Sequence, residues 1–283
     1  YYAGMPKLNL KNPEVEKYIT DVACYWIKEC DIDGWRLDVG DEISHFFWKN
    51  FRKAVKAVKK DMLIIGEIWH YAGDFLEGDE WDTVMNYPFY LNLIDLLADE
   101  KITVSQFVQN LGYLKGRLHK NCYPLMWNLI DSHDTARFLH LCNNNKKKQH
   151  LAAAFQLLLP GMPMIYYGDE YAMPGANDPD CRRGMYWDEE YQDKEMYEWY
   201  KRLIQVRKSH ACIVEGELAG SVTEDEEGTI VLIRKNGEET IAMIFNCSSS
   251  AKKFNEYTQK YNLLTENTFD GNVEGFDAAV IVL

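Results

Sequence analysis

Short apolar runs alternate with helix-length amphipathic segments through residues 1–210, and that alternation limits the fold more than any other feature of the chain. The runs are Trp35 to Val39, Met62 to Ile68, Thr83 to Tyr87, Leu125 to Ile130 and Met164 to Tyr167. Each is too short for a helix, and its apolar residues suit a strand buried on both faces of a parallel sheet. The first helix opens with Asn12 as cap, Pro13 at the first helical position and Glu14 in the first turn. It carries Val15, Ile19, Val22, Ala23 and Trp26 at helical spacing to about Cys30. Further helices are expected near Ser44 to Lys60, Tyr90 to Glu100, Ser105 to Leu118, Lys147 to Leu159 and Lys194 to Lys208. Strands and helices in alternation imply parallel βαβ units and an α/β fold.

Beyond residue 210 the texture changes. Ile213 to Val222, Thr229 to Lys235, Thr240 to Asn246 and Ala278 to Leu283 are β-rich, with Glu224 to Gly228 and Asn236-Gly237-Glu238 as hairpin turns. The expected organisation is a catalytic α/β domain over 1–210 and a small antiparallel β-sandwich domain over 211–283. A closed (β/α)8 barrel takes about 250 residues, so five candidate strands fit the C-terminal part of such a barrel, about five βα units. Five strands alone would leave edges open, which implies a fragment whose missing units lie N-terminal to it.

Charge narrows the partners. With 31 Lys+Arg against 44 Asp+Glu the net charge is -13, and Lys146-Lys147-Lys148 is too short a basic run to hold a phosphate backbone. Nucleic acid is excluded as a partner, and no apolar stretch is long enough for a membrane span. Seven cysteines, an odd number without a C-x-x-C pair, read as buried reduced thiols rather than a disulfide framework or zinc site. That favours a cytoplasmic location. The chain opens Tyr1-Tyr2-Ala3-Gly4 without an initiator Met, which leaves open whether a leader precedes it.

Three acids end three of the runs. In Asp33-Gly34-Trp35-Arg36-Leu37-Asp38-Val39, Arg36 and Asp38 lie two apart and face the same way on a strand, with Asp38 at its carboxyl end. The permanent charge of Arg36 suits an ionised, nucleophilic Asp38, although a structural salt bridge uses the same pair. Glu67 ends the second run beside Trp69, and an aromatic wall would favour a protonated carboxyl able to donate to a leaving oxygen. Asp134 follows His133 after Leu129-Ile130-Asp131-Ser132. Like charges repel, so their convergence on one sheet would serve chemistry rather than stability. Two carboxyl groups across a sugar make a retaining glycosidase when they stand about 5–5.5 Å apart. Among the tryptophans, Trp26 and Trp48 sit at core positions of their helices, whereas Trp69 is placed to meet a sugar.

These blocks resemble the alpha-amylase family of glycoside hydrolases. The likeness rests on Asp33 to Val39, Gly66-Glu67-Ile68-Trp69-His70, Ser132-His133-Asp134-Thr135 and Gly161-Met162-Pro163-Met164-Ile165-Tyr166-Tyr167-Gly168-Asp169-Glu170 in that order. Met5-Pro6-Lys7-Leu8-Asn9 and Val39-Gly40-Asp41-Glu42 resemble the neopullulanase, cyclomaltodextrinase and maltogenic amylase branch. The resemblance implies Asp38 as nucleophile, Glu67 as general acid/base and Asp134 as the carboxylate that grips the sugar. Arg36 and His133 would contact the reacting ring or nucleophile, and Glu42 and Trp69 would line the leaving-group side. Asn177-Asp178-Pro179-Asp180-Cys181-Arg182 resembles the branch's loop for a more distant sugar, with Asp178 and Arg182 on its hydroxyl groups; a surface salt bridge is the alternative.

The family's earlier block of Asp, Asn and His has no counterpart here, nor do its inserted domain and N-terminal module. The resemblance therefore implies much lower activity for this stretch alone than for a full-length parent. No cofactor is expected. Calcium belongs to the parent if anywhere, and the acidic stretches Tyr71 to Asp74 and Glu77 to Glu80 read as solvated loop. The implied partners are α-glucan oligosaccharides, the missing part of the barrel and a second copy of the chain. A noncatalytic glucan-binding relative is the competing reading, against which the retention of all three acids speaks.

Overall fold

The computed structural model describes residues 4–119 and 121–283, so the opening Tyr1-Tyr2-Ala3 lies outside it. The chain divides into two compact units: one reaches to Met85 and includes Arg117–Met126, and the other comprises Asn86–Gly116 and Trp127–Leu283.

In the first unit, helix α1 (Pro13–Cys30) begins as its sequence dictates, with the Asn12 side chain accepting from the Glu14 N–H. Strand β1 (Gly34–Leu37), helix α2 (His45–Val58), strand β2 (Leu63–Gly66) and strand β3 (Thr83–Val84) follow. The three strands form one parallel sheet in the order β1-β2-β3. All are shorter than the apolar runs, because the chain turns away at Asp38, Glu67 and Met85. As the sheet's edge, β1 is half-buried rather than buried on both faces. Trp48 is core, but Trp26 is not: the buried positions of α1 are Ala23 and Ile27, and Trp26 lies about 60° from the first and about 100° from the second around the helix, edge-on to Tyr25. In the acidic stretch before β3, Glu77, Gly78 and Asp79 are exposed as expected of a solvated loop, but Glu80 is not. Glu80 is buried, its carboxylate is held by His45 Nδ1 at 2.9 Å, and burial raises its pKa.

The second unit begins with helix α3 (Tyr87–Leu93). Asn86 accepts from the Phe89 N–H and Pro88 sits in the first turn, so the run expected to be extended to Tyr87 is helical from that residue. A π-helical turn (Ile94–Ala98) and helix α4 (Val104–Arg117) follow. Strand β4 (Trp127–Asn128), helices α5 (Phe138–Leu141) and α6 (Lys146–Leu158), and strand β5 (Met162–Pro163) come next. β5 pairs in parallel with β4 two residues earlier than expected. The Gln156 side chain, not a strand, takes the Met164 carbonyl at 2.7 Å, and the Tyr166 N–H turns to Asp169.

Helices α7 (Lys194–Ser209) and α8 (Cys212–Glu215) lead to the β-rich tail, so Ile213 opens on a helical turn rather than a strand. Strands β6 (Glu217–Glu224), β7 (Thr229–Asn236) and β8 (Glu239–Asn246) are joined by the two hairpins that the turn residues require. Short strands β9 (Lys252–Lys253), β10 (Tyr261–Asn262), β11 (Asn267–Thr268) and β12 (Asn272–Val273), for which the sequence shows no alternation, precede β13 (Asp277–Val282). The large sheet runs β11-β10-β13-β8-β7-β6, antiparallel throughout, and β9 pairs with β12.

Helix α6 carries the core of this unit. Its segment from Leu151 to Leu158 is buried on all sides, and Phe155 stacks on Phe245 of β8 at 4.3 Å. Helical layer and sheet therefore share one core. All seven cysteines are free; four are buried, whereas Cys30 is exposed. Among the described residues no helix is long and apolar enough to cross a membrane.

Candidate active site

Parallel pairing of Leu37 with Gly66 makes Asp38 and Glu67 neighbours one step beyond the β1–β2 ladder. Past Leu37 the chain leaves the sheet at once. Asp38 is largely exposed, Val39 takes a left-handed conformation (φ 44°, ψ 47°), and Gly40–Glu42 form a 3-10 turn. Arg36, inside β1, joins the two acids: its Nη1 lies 2.5 Å from Asp38 Oδ1 and its Nη2 3.0 Å from Glu67 Oε1.

Glu67 is 3% exposed, yet the apolar wall expected around it is not what meets the carboxylate. Polar groups do: the Val39 N–H donates to Oε2 at 2.9 Å, Trp69 turns its indole N–H to Oε1 at 3.4 Å, and Arg36 Nη2 faces Oε1 at 3.0 Å as an ion-pair partner without hydrogen-bond alignment. The reason is the two-residue spacing, which brings the polar edge of Trp69 back to Glu67 while leaving the indole 41% exposed. Glu42 stands apart from this group. Lys7 Nζ pairs with its carboxylate and holds its pKa below the usual range, and the same ammonium donates to the Glu42 carbonyl at 3.3 Å.

In the second unit, β4 delivers a tight turn. Thr135 Oγ1 accepts from the Ser132 N–H at 2.9 Å and Ser132 Oγ from the Asp134 N–H at 3.2 Å, which projects His133 and Asp134 outward. His133 Nε2 lies 3.1 Å from Asp134 Oδ2. Arg182 ties this turn to its loop. Its Nε donates to the His133 carbonyl at 2.9 Å and lies 2.9 Å from Asp178 Oδ1, while Nη2 lies 3.3 Å from Asp134 Oδ1. Asp178, Arg182, His133 and Asp134 thus form one polar network rather than an isolated surface salt bridge. Arg183 forks onto Asp180 at 2.6 and 2.9 Å, and Asp180 accepts from the Ala176 N–H at 2.7 Å, fixing the loop's base.

Beneath this turn lies a buried group that sequence reading left without a role. Arg137 is fully buried, with its guanidinium over the rings of Tyr166 and Tyr167 at 4.4 and 4.9 Å. Its Nη1 donates to the Tyr167 carbonyl at 2.7 Å and to Asp169 Oδ1 at 3.2 Å. Asp131 Oδ2 accepts from the Phe138 N–H at 2.8 Å, and its Oδ1 is buried without a hydrogen-bond partner. Burial, and for Asp169 the neighbouring Asp131, raises both carboxyls, Asp131 to about 6. The available signal was a pair of charged residues, Asp131 and Arg137, bracketing a turn between apolar segments. Among the described residues no group of three or more His, Cys, Asp or Glu is placed to hold a metal ion.

Comparison with known proteins bears on these two clusters. The model of the alpha-amylase catalytic domain matches residues 1–192, a stretch that contains every residue named above. The chain belongs to the alpha-amylase family. Relatives in this family are named cyclomaltodextrinase, maltogenic amylase and neopullulanase. A cyclomaltodextrinase of Geobacillus thermopakistaniensis is 47% identical over 247 residues, 87% of this chain and 42% of that one. The intracellular maltogenic amylase of Bacillus subtilis is 44% identical over 247 residues, again 87% of this chain and 42% of its own. A solved cyclomaltodextrinase superposes with a TM-score of 0.93 at 34% identity, over 99% of this chain and 51% of that one. The chain therefore spans about half the length of the family members it matches, or less.

Proposed function

We propose that the protein is a retaining glycoside hydrolase that cleaves α-1,4, and in branched substrates α-1,6, glucosidic bonds of maltodextrins, cyclodextrins, pullulan or starch. The single observation that carries the reading is Arg36, which holds Asp38 and Glu67 at the ends of two paired strands. One guanidinium between two carboxylates offsets their repulsion and leaves one exposed and one buried, as a nucleophile and an acid/base require.

In this mechanism Glu67 takes up a proton from solvent as the sugar binds; an Asp38 carboxylate oxygen then attacks the anomeric carbon while Glu67 passes that proton to the departing glycosidic oxygen. A glycosyl ester on Asp38 results. Glu67 then removes a proton from water, which attacks the same carbon, releases the sugar and restores the Asp38 carboxylate. Asp134 grips sugar hydroxyls with His133, and the Asp178–Arg182 pair serves a sugar further from the cleaved bond. Trp69 and Glu42 serve the leaving-group side. Water is the only co-substrate, so the reaction requires no cofactor.

Residues 1–210 would be the C-terminal five βα units of a (β/α)8 barrel and 211–283 a C-terminal all-β domain packed on its last helices. The protein would act inside the cell, as the name of the Bacillus subtilis relative says of that enzyme, on α-glucan oligosaccharides. The test is release of maltose and panose from cyclodextrin and pullulan by wild type and Glu67→Gln. Glutamine keeps an acceptor for the Val39 N–H, so the variant should fold while losing about 10²–10⁴-fold in kcat. Unchanged turnover by Glu67→Gln would refute the assignment.

A further inference from the structure

We propose that Trp81 is a positioning residue for Glu67: its buried ring is the slab against which Gly66 and Gly40 set the backbone that aims the Glu67 carboxyl. The inference rests on Glu67 being the acid/base. A Cβ on Gly40 would lie 2.7 Å from Trp81 Cζ2, and one on Gly66 would overlap Cε3 and Cζ3 of the same six-membered ring. Only glycine at both places lets the backbone rest on the ring.

Those two glycines flank the groups that hold Glu67. The Gly40 N–H donates to the Glu67 carbonyl at 3.1 Å, and the Glu67 N–H donates to the Leu37 carbonyl at 3.0 Å. Val39 N–H donates to Glu67 Oε2 at 2.9 Å. Val39 does so from a left-handed conformation that a β-branched residue rarely adopts, which persists only where the surroundings over-determine it. Trp81 is part of what does so. Its ring stacks on Phe75 at 4.1 Å and 7° and meets Trp48 edge-on at 5.9 Å, and Trp48 Nε1 donates to the Gly40 carbonyl at 2.8 Å. Behind Phe75 stands His45, stacked at 4.4 Å and anchored by the buried Glu80. The indole N–H of Trp81 makes no hydrogen bond to either acid, and the ring acts through the main chain.

The test is Gly40→Ala, Trp81→Phe/Gly40→Ala and Trp81→Leu beside Glu67→Gln, assayed on maltotriose and on an aryl α-maltoside with an activated leaving group. Misaiming the acid/base should cost Gly40→Ala about 10- to 100-fold in kcat on maltotriose, with KM little changed. The activated substrate, which needs less protonation, should lose several-fold less, whereas general loosening of the fold would slow both alike. The smaller ring of Trp81→Phe should restore most of that activity, and Trp81→Leu alone should show the same substrate split. Equal losses on both substrates, or no rescue by Trp81→Phe in a folded double variant, would overturn the positioning role. If Glu67→Gln is inactive while Gly40→Ala and Trp81→Leu match wild type, only the role of Trp81 fails; if Glu67→Gln is active, the acid/base assignment fails with it.

Discussion

The main-chain N–H of Val39 donates to Oε2 of Glu67 at 2.9 Å, a contact between residues 28 apart in sequence. It couples the turn that presents Asp38 to the carboxyl group at the end of the next strand. Because Val39 reaches that bond at φ 44°, its own side chain opposes the conformation that the site needs. Replacing it by glycine removes the steric cost, and little packing is lost because Val39 is 44% exposed. Val39→Gly is expected to leave stability unchanged or raise it by about 1 kcal/mol, read as the midpoint of chemical denaturation. A loss as large as that of a buried valine would show the side chain to be a packing element instead.

Arg36 is the shared partner of Asp38 and Glu67. Arg36→Met would leave the Glu67 carboxylate buried without its cation, and stability should fall by about 3 kcal/mol, the low end for a broken buried pair since Arg36 retains some exposure. Adding Glu67→Gln to Arg36→Met should recover part of that loss, because the uncompensated charge is gone. Strictly additive losses in denaturant titrations would count against the coupling.

Asp131 and Asp169 are both fully buried, and burial is the main reason that Asp131 is raised to about 6. An acid whose folded pKa exceeds its unfolded value of about 3.9 binds its proton more tightly when folded. The stability it adds is complete below about pH 4 and is lost as pH rises through about 6. Asp131→Asn does not titrate, so the melting temperature of the variant minus that of wild type should grow between pH 4 and pH 7. A difference independent of pH would contradict the raised pKa of Asp131.

Arg182 links Asp178, the His133 carbonyl and Asp134 through a planar fork. A lysine ammonium cannot span the three acceptors. Arg182→Lys should lower kcat/KM on maltotriose about tenfold, equivalent to ~1.4 kcal/mol, with most of the change in KM. Unaltered steady-state constants would leave the network a purely structural one.

Both acids of the first unit were legible in sequence because apolar runs ending on a carboxylate mark strand ends, and β1 and β2 pair with Asp38 and Glu67 just beyond. What surrounds Glu67 was not. The N–H of Val39 arrives through a left-handed turn that no apolar pattern encodes, and the indole of Trp69 offers its polar edge rather than its face. Helix α1 was readable from Asn12 and Pro13, but which stripe of it is buried depends on α2, so Trp26 was misplaced. The two-residue strands β9 to β12 carry no period to detect. Arg137 and Asp131 gain meaning only from Tyr166 and Asp169, about 30 residues away in sequence and brought close by parallel pairing of β4 with β5.

Retaining hydrolysis requires that Asp38 become covalently bound to the sugar. Incubation of the protein with an activated fluoro-α-glucosyl fluoride, whose fluorine slows release of the ester, followed by proteolysis and peptide mass spectrometry, tests it directly. One added glycosyl group is expected on the peptide containing Asp38, and none after Asp38→Asn. A label on Glu67, on Asp134 or elsewhere, or turnover of the reagent by Asp38→Asn at the wild-type rate, would contradict it.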